Sequence, residues 1–157
     1  MRLDNLTPTD WDNIGAYVAE LRDKLGLHVW SIYIEHKPCS KRYQASIRPV
    51  YGRTHACVRL CRTWPELSRE EQRHTLIHEL LHLQFVPLQS AIRHIEPIVG
   101  DDVFYILNET HTEGLEYAID AIAFTLTGLF DLPPEIVGVE EPDKTPVESV
   151  EDVAESA

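Results

Sequence analysis

Apolar positions along the 157-residue chain change their spacing several times, and each change predicts an element. LTPTDWDNIGAYVAELRDKLGL (6–27) has helical spacing, with Thr7 placed to cap it, Pro8 suited to the first turn and Gly26 to the stop. HVWSIYIEH (28–36) then alternates. Trp30, Ile32 and Ile34 fall on one face and Ser31, Tyr33 and Glu35 on the other, which predicts a half-buried strand. RYQASIRPV (42–50) and HACVRLCRT (55–63) predict two more strands, joined by a hairpin turn around Gly52. SREEQRHTLIHELLHLQF (68–85) opens with Ser68 and Glu71 in a capping-box pair and continues as a helix. A proline-containing stretch (86–101) with room for one short helix follows, and then a long helix over 101–128 that tolerates one glycine. Helices at both ends of a small antiparallel three-stranded sheet make the expected fold class α+β.

Composition narrows the function classes. A hydrophobic content of 43% and a charged content of 25% are ordinary for a globular protein. No apolar run approaches the roughly 18–20 residues of a membrane span. The start, MRLDNLTPTDWDN, lacks the basic and then apolar pattern of a signal peptide, so none is expected. Cys39, Cys57 and Cys61 are odd in number and form no CxxC pair, which suits a reducing, cytoplasmic setting. Net charge is −12, and residues 139–157 hold seven acids against one lysine, so they read as an acidic disordered tail behind a single domain spanning 1–138. The acidic balance argues against nucleic acid as a partner, because phosphate binding needs clustered Lys and Arg. The more basic 41–62 stretch reads as a solvated face.

Within the fifth apolar segment, TLIHELLHL (75–83) contains His78-Glu79-Leu80-Leu81-His82, an H-E-x-x-H pattern. Side chains at i and i+4 share a helix face, so both imidazoles can reach one metal, each at about 2.0–2.1 Å. The glutamate between them points about 100° away and can reach a metal-bound water instead. The plain alternative is a buried helix with core histidines. Against it, Leu76, Ile77, Leu80, Leu81, Leu83 and Phe85 leave little wet surface on this helix, and its polar groups then need partners that a cation supplies directly.

A catalytic zinc usually has three protein ligands and one open position. LQFVPL after His82 holds no candidate, so the third ligand is expected further on. Glu109, Glu113, Glu116 and Asp120 fall within an arc of about 60° on the long helix, with Leu107, Leu115, Ala118, Ile119 and Ile122 roughly opposite. The simple account is the wet face of an amphipathic helix. No Lys or Arg occurs between Arg93 and Lys144, however, and like charges at i,i+4 repel unless a cation lies among them. Glu116 is the first choice, because Asp120 one turn on can hold the far nitrogen of a ligating histidine; Glu113 and then Glu109 follow.

TLIHELLHL with EYAIDAIA some 34 residues beyond His82 resembles the small gluzincin-type zinc metallopeptidase domains, among them the ImmA/IrrE-like peptidases of bacteria and their phages. Those domains pair HExxH with a glutamate on the next helix in a motif much like E-x-x-x-D-x-x-A, which Glu116, Asp120 and Ala123 match. Gln84 departs from the apolar residue usual there. The layout agrees over about residues 43–128, and only the HExxH is highly specific. The resemblance implies a minimal zincin-like fold and a zinc endopeptidase with His78, His82 and Glu116 as ligands and Glu79 as general base. It also implies that 55–63, the strand before the HExxH helix, is an edge that pairs with a protein or peptide substrate.

Tyr105, His111 and Tyr51 are candidates to stabilise the oxyanion. His74 is one turn before His78 and reads as part of the wet start of its helix. His55, Cys57 and Cys61 share a strand face, but their extended spacing spreads them too far for one ion. Trp11, Trp30 and Trp64 read as core or rim aromatics. Two other function classes remain open: a regulatory or binding protein that keeps the zinc fold but cuts nothing, or cuts only one partner when triggered, and a metal-dependent hydrolase of another amide or ester; the intact Glu79 argues against a binding-only form, which has no need of the base.

Overall fold

The computed structural model describes residues 2–50 and 52–138; the acidic tail and Tyr51 lie outside the described residues. After a short 3₁₀ turn, α1 spans Pro8–Lys24. Strands β1 (Ser31–Glu35), β2 (Ala45–Val50) and β3 (His55–Leu60) follow, then α2 (Arg69–Leu81). Another 3₁₀ turn (His82–Phe85) leads to α3 (Val86–Arg93), α4 (Glu96–Val99) and the 27-residue α5 (Asp101–Thr127). The class is α+β. No described helix is long and apolar enough to cross a membrane.

Local chemistry accounts for most of these boundaries. Thr7 and Asp10 close a capping box on α1: the Asp10 N–H donates to Thr7 Oγ1 at 3.1 Å, and the Thr7 N–H donates to the Asp10 carboxylate at 2.8 Å. Gly26, at φ 70°, ends α1 in the left-handed conformation that favours glycine. The Ser68–Glu71 box starts α2 as expected, with the Ser68 N–H donating to Glu71 at 2.8 Å. The predicted helix over 68–85 is interrupted, however. Pro87 has no N–H for the carbonyl four residues back and its ring crowds that group, so the chain tightens to 3₁₀ over His82–Phe85 before α3 begins. The stretch beyond holds two short helices rather than one.

The sheet differs from the antiparallel one expected. Its order is β1-β3-β2, with β2 antiparallel to β3 but β1 parallel to it. Alternation of apolar and polar residues defines which face of a strand is buried, not its neighbour or direction. The nine residues 36–44 between β1 and β2 are long enough to carry the chain past the position β3 later fills. One consequence bears on function. The 55–63 strand, expected at the edge, is central, and β2 is the edge strand packed on α2.

A single apolar cluster joins α1, the inner sheet face, α2 and α5. Leu76, Ile77 and Leu80 of α2 are fully buried in it beside Trp64, Val58 and Leu60. Each such side chain contributes roughly 1.5–3 kcal/mol when removed from water. Trp11 and Trp30 pack at its rim. The buried residues of α5 are Leu115, Ile119 and Ala123, on the helix that packs on α2, with Leu126 half-buried against the same cluster; Ala118 and Ile122, expected on the buried face, are exposed. The chain after α5 is pinned by the Tyr17 hydroxyl on the Asp131 carbonyl at 2.6 Å, by Arg73 on Phe130 and by Arg69 on Pro133. The N–H groups of Val137 and Gly138 donate to the Asp10 carboxylate at 3.0 and 3.1 Å. Burial pushes the Tyr17 hydroxyl up to about 12.

Candidate metal centre

α2 places His78 and Glu79 in its last turn, and His82 sits one turn on, where the helix tightens. Because Leu76, Ile77, Leu80 and Leu81 hold α2 in the core, its remaining side faces β2 and α5, and there the polar groups collect. Ile119 and Ala123 seat α5 against α2, which brings Glu116 and Asp120 to the two imidazoles.

The distances define a triangle. His78 Nε2 and His82 Nε2 lie 3.2 Å apart, His78 Nε2 is 3.3 Å from Glu116 Oε2, and His82 Nε2 is 3.6 Å from Glu116 Oε1. Ligands held about 2.0–2.1 Å from one tetrahedral ion are separated by about 3.3–3.4 Å, so this spacing fits a single metal ion. The donor chemistry agrees. His78 Nδ1 is 2.8 Å from Asp120 Oδ1, and a carboxylate there can only accept, so that nitrogen carries the proton and Nε2 presents its lone pair to the triangle. Burial holds His82 below the usual histidine range, which favours its neutral form as well; Glu116 opposes this and His78 adds to it. Lone pairs and a carboxylate therefore converge on one point, and among the described residues His78, His82 and Glu116 form a group that can hold a metal ion.

Glu79 stands apart from the triangle. One carboxylate oxygen accepts the Ile47 N–H of β2 at 2.8 Å. Burial pushes its carboxyl up to about 8, against the pull of that hydrogen bond and with help from Glu116. A dication in the triangle acts the other way and favours the carboxylate. Glu79 and the triangle line one cleft of about 560 Å³. Its other walls come from β2 (Ala45, Ile47 and Pro49) and from Leu83, Val86 and Thr112.

Of the three acids considered as ligands, Glu116 is the one brought to the imidazoles, while Glu109 and Glu113 are exposed outside the group. Neither Tyr105 nor His111 lines the cleft, although the buried His111 Nε2 has no hydrogen-bond partner. His74 bonds Thr127 Oγ1 at 3.2 Å, away from the triangle. Cys57 bonds Glu35 at 3.3 Å, and all three cysteines are free thiols. Sequence reasoning missed the Ile47 N–H and also Gln44, which accepts the Thr75 hydroxyl at 2.8 Å behind the cleft. A backbone donor leaves no mark in the residue pattern, so no signal pointed to Ile47. No protein-family model, curated protein or solved structure matches the chain.

Proposed function

We propose that the protein is a zinc-dependent peptidase that holds its ion with His78, His82 and Glu116 and uses Glu79 as the general base. The observation that carries this reading is the convergence of two imidazole nitrogens and one carboxylate at 3.2 to 3.6 Å, beside a second carboxylate outside the set. Two histidines, one glutamate and a free fourth position are the donor set of a catalytic zinc, and borderline nitrogen and oxygen donors suit that ion. When bound, zinc lowers the pKa of a water toward neutrality and polarises the carbonyl to be attacked.

The chain's own residues supply the rest. Asp120 keeps His78 in the tautomer that frees Nε2. The Ile47 N–H anchors one oxygen of Glu79, which leaves the other to take the proton of the attacking water. As the water oxygen bonds to the carbonyl carbon and the C–N bond breaks, Glu79 returns that proton to the leaving nitrogen. The edge position of β2 supports an extended peptide as substrate, because outward backbone groups of an edge strand can pair with another chain. The pairing of HExxH with Glu116 and Asp120 also supports kinship with the gluzincin-type domains.

The test is hydrolysis of a random peptide library by zinc-loaded protein, compared with Glu79→Gln. Expected is cleavage by the wild type and a loss of about 10²–10⁴-fold in the variant, with zinc content unchanged. Undiminished turnover in Glu79→Gln would remove the general base from the account. A zinc-replete wild type that cuts nothing would favour a zinc-binding regulatory protein instead.

A further inference from the structure

Beside the metal cleft lies a second cavity, of about 540 Å³, formed by the turn before β2 and the residues just after β3. Tyr43 lines both the cleft and this cavity. Arg42 and Gln44 line the cavity as well, and they also face a smaller hollow of about 280 Å³ bounded by His78, Glu79 and Asp120. The three hollows thus share walls, and a chain laid across the triangle at the start of β2 reaches the second cavity next.

The charge there is of one sign. Lys41, Arg42 and Arg62 line the cavity, and no Asp or Glu does. Arg22, Lys24, Arg59 and Arg69 each meet a carboxylate elsewhere in the fold. The side chains of Lys41, Arg42 and Arg62, by contrast, have no ion pair or hydrogen bond among the described residues. Three cations gathered in one hollow repel one another unless an anion lies among them, in a chain whose net charge is −12. Pro38, Leu67 and the buried Cys61 give the hollow apolar walls, which focus the positive field.

Position selects the anion. A nucleic acid needs cations spread along its backbone and meets repulsion from the rest of this acidic chain. A peptide carboxylate suits the site better. The cavity adjoins the beginning of β2, whose free edge accepts an extended chain, and arginine forks match carboxylates two hydrogen bonds at a time. We propose that Lys41, Arg42 and Arg62 bind Asp or Glu residues of the peptide that occupies the metal cleft, so that the substrates are segments with acidic residues a few positions from the bond to be cut. This selectivity rests on the peptidase reading and adds to it the class of peptide.

The probes are labelled peptides of about twelve residues, roughly 40 Å when extended, identical except for a block of three Glu, three Gln or three Lys beside a central leucine. A second set carries the block on the leucine's other side. Binding is read by fluorescence anisotropy on zinc-loaded Glu79→Gln, and kcat/KM on the zinc-loaded wild type. Expected is binding of the Glu peptide at least about tenfold tighter than of the Gln peptide in one of the two sets, with the gap shrinking as salt rises from about 0.05 to 0.5 M. The same ratio should appear in kcat/KM. In Arg42→Glu/Arg62→Glu the preference should turn toward the Lys peptide, a reversal that a merely structural role would not produce. Both side chains are exposed, so circular dichroism should show unchanged folding. Equal binding of the Glu and Gln peptides in both sets would overturn the proposal. A Glu preference that survives in the double variant would overturn it too, since another cation would then be reading the acid. Displacement of the Glu peptide by an equal concentration of an oligothymidylate of equal charge would do the same, by making the cavity a general polyanion site. A Glu preference in binding, lost in the double variant, alongside a wild type that cuts nothing would support the acidic-peptide site and overturn the peptidase reading alone.

Discussion

At the scale of single residues, the centre depends on lone pairs that are aimed rather than on charge alone. Asp120 holds the proton of His78 on Nδ1 and thereby exposes Nε2. Asp120→Asn, which can donate where the carboxylate only accepts, is expected to weaken zinc affinity by about 10–100-fold without abolishing it, as read by competition with a chromogenic chelator. Unchanged affinity would mean that the 2.8 Å contact does not orient the imidazole. That His78 and His82 share a face was legible from helix geometry, whereas Glu116 shares its arc with Glu109 and Glu113 and was singled out by Asp120 one turn on; the structure groups it with the two imidazoles. The Ile47 N–H was not legible. It reaches Glu79 across 32 residues, through strand pairing that no local pattern encodes.

At the scale of elements, the capping box of α1 does more than start a helix. The Asp10 carboxylate that caps α1 also accepts the N–H groups of Val137 and Gly138, and so ties the end of the described chain to its beginning. Burial alone would raise the pKa of Asp10, but hydrogen bonds from Thr7, Val137 and Gly138 outweigh it and hold it below the ordinary 3.8. Its contribution is therefore complete above 3.8 and is lost as pH falls through the lower folded value. Asp10→Asn is expected to cost about 1–2 kcal/mol in urea unfolding at neutral pH, a gap that narrows below pH 3.8. A gap that widens in acid would reverse the assignment. Along α5, Ile119 has no exposure and seats the helix on α2. Ile119→Ala should cost about 2–5 kcal/mol and weaken metal binding in parallel, since Glu116 reaches the imidazoles only through this packing. The exposure of Ala118 and Ile122 was not legible, because a helix apolar on two sides gives no indication of which side meets the core.

At the scale of the whole molecule, the α+β class, the order of the elements and the two helices of the site followed from periodicity. The parallel pairing of β1 with β3 did not, since either strand order buries the same side chains. That difference moves the edge from 55–63 to β2, next to the centre. Because α2 and α5 each supply members of the group that can hold a metal ion, a bound ion should link them. At free zinc about 100 times its Kd the folded state gains about 2.7 kcal/mol, a rise in Tm of roughly 5–10 °C that a chelator should reverse. The measurement that bears most directly on the centre is metal content by mass spectrometry, on wild type and on Glu116→Ala, Glu113→Ala and Glu109→Ala purified without added zinc. About one zinc per chain, lost in Glu116→Ala alone, is the expected result. A wild type that holds no zinc even after reconstitution would contradict it, leaving His78 and His82 as two histidines on a buried helix.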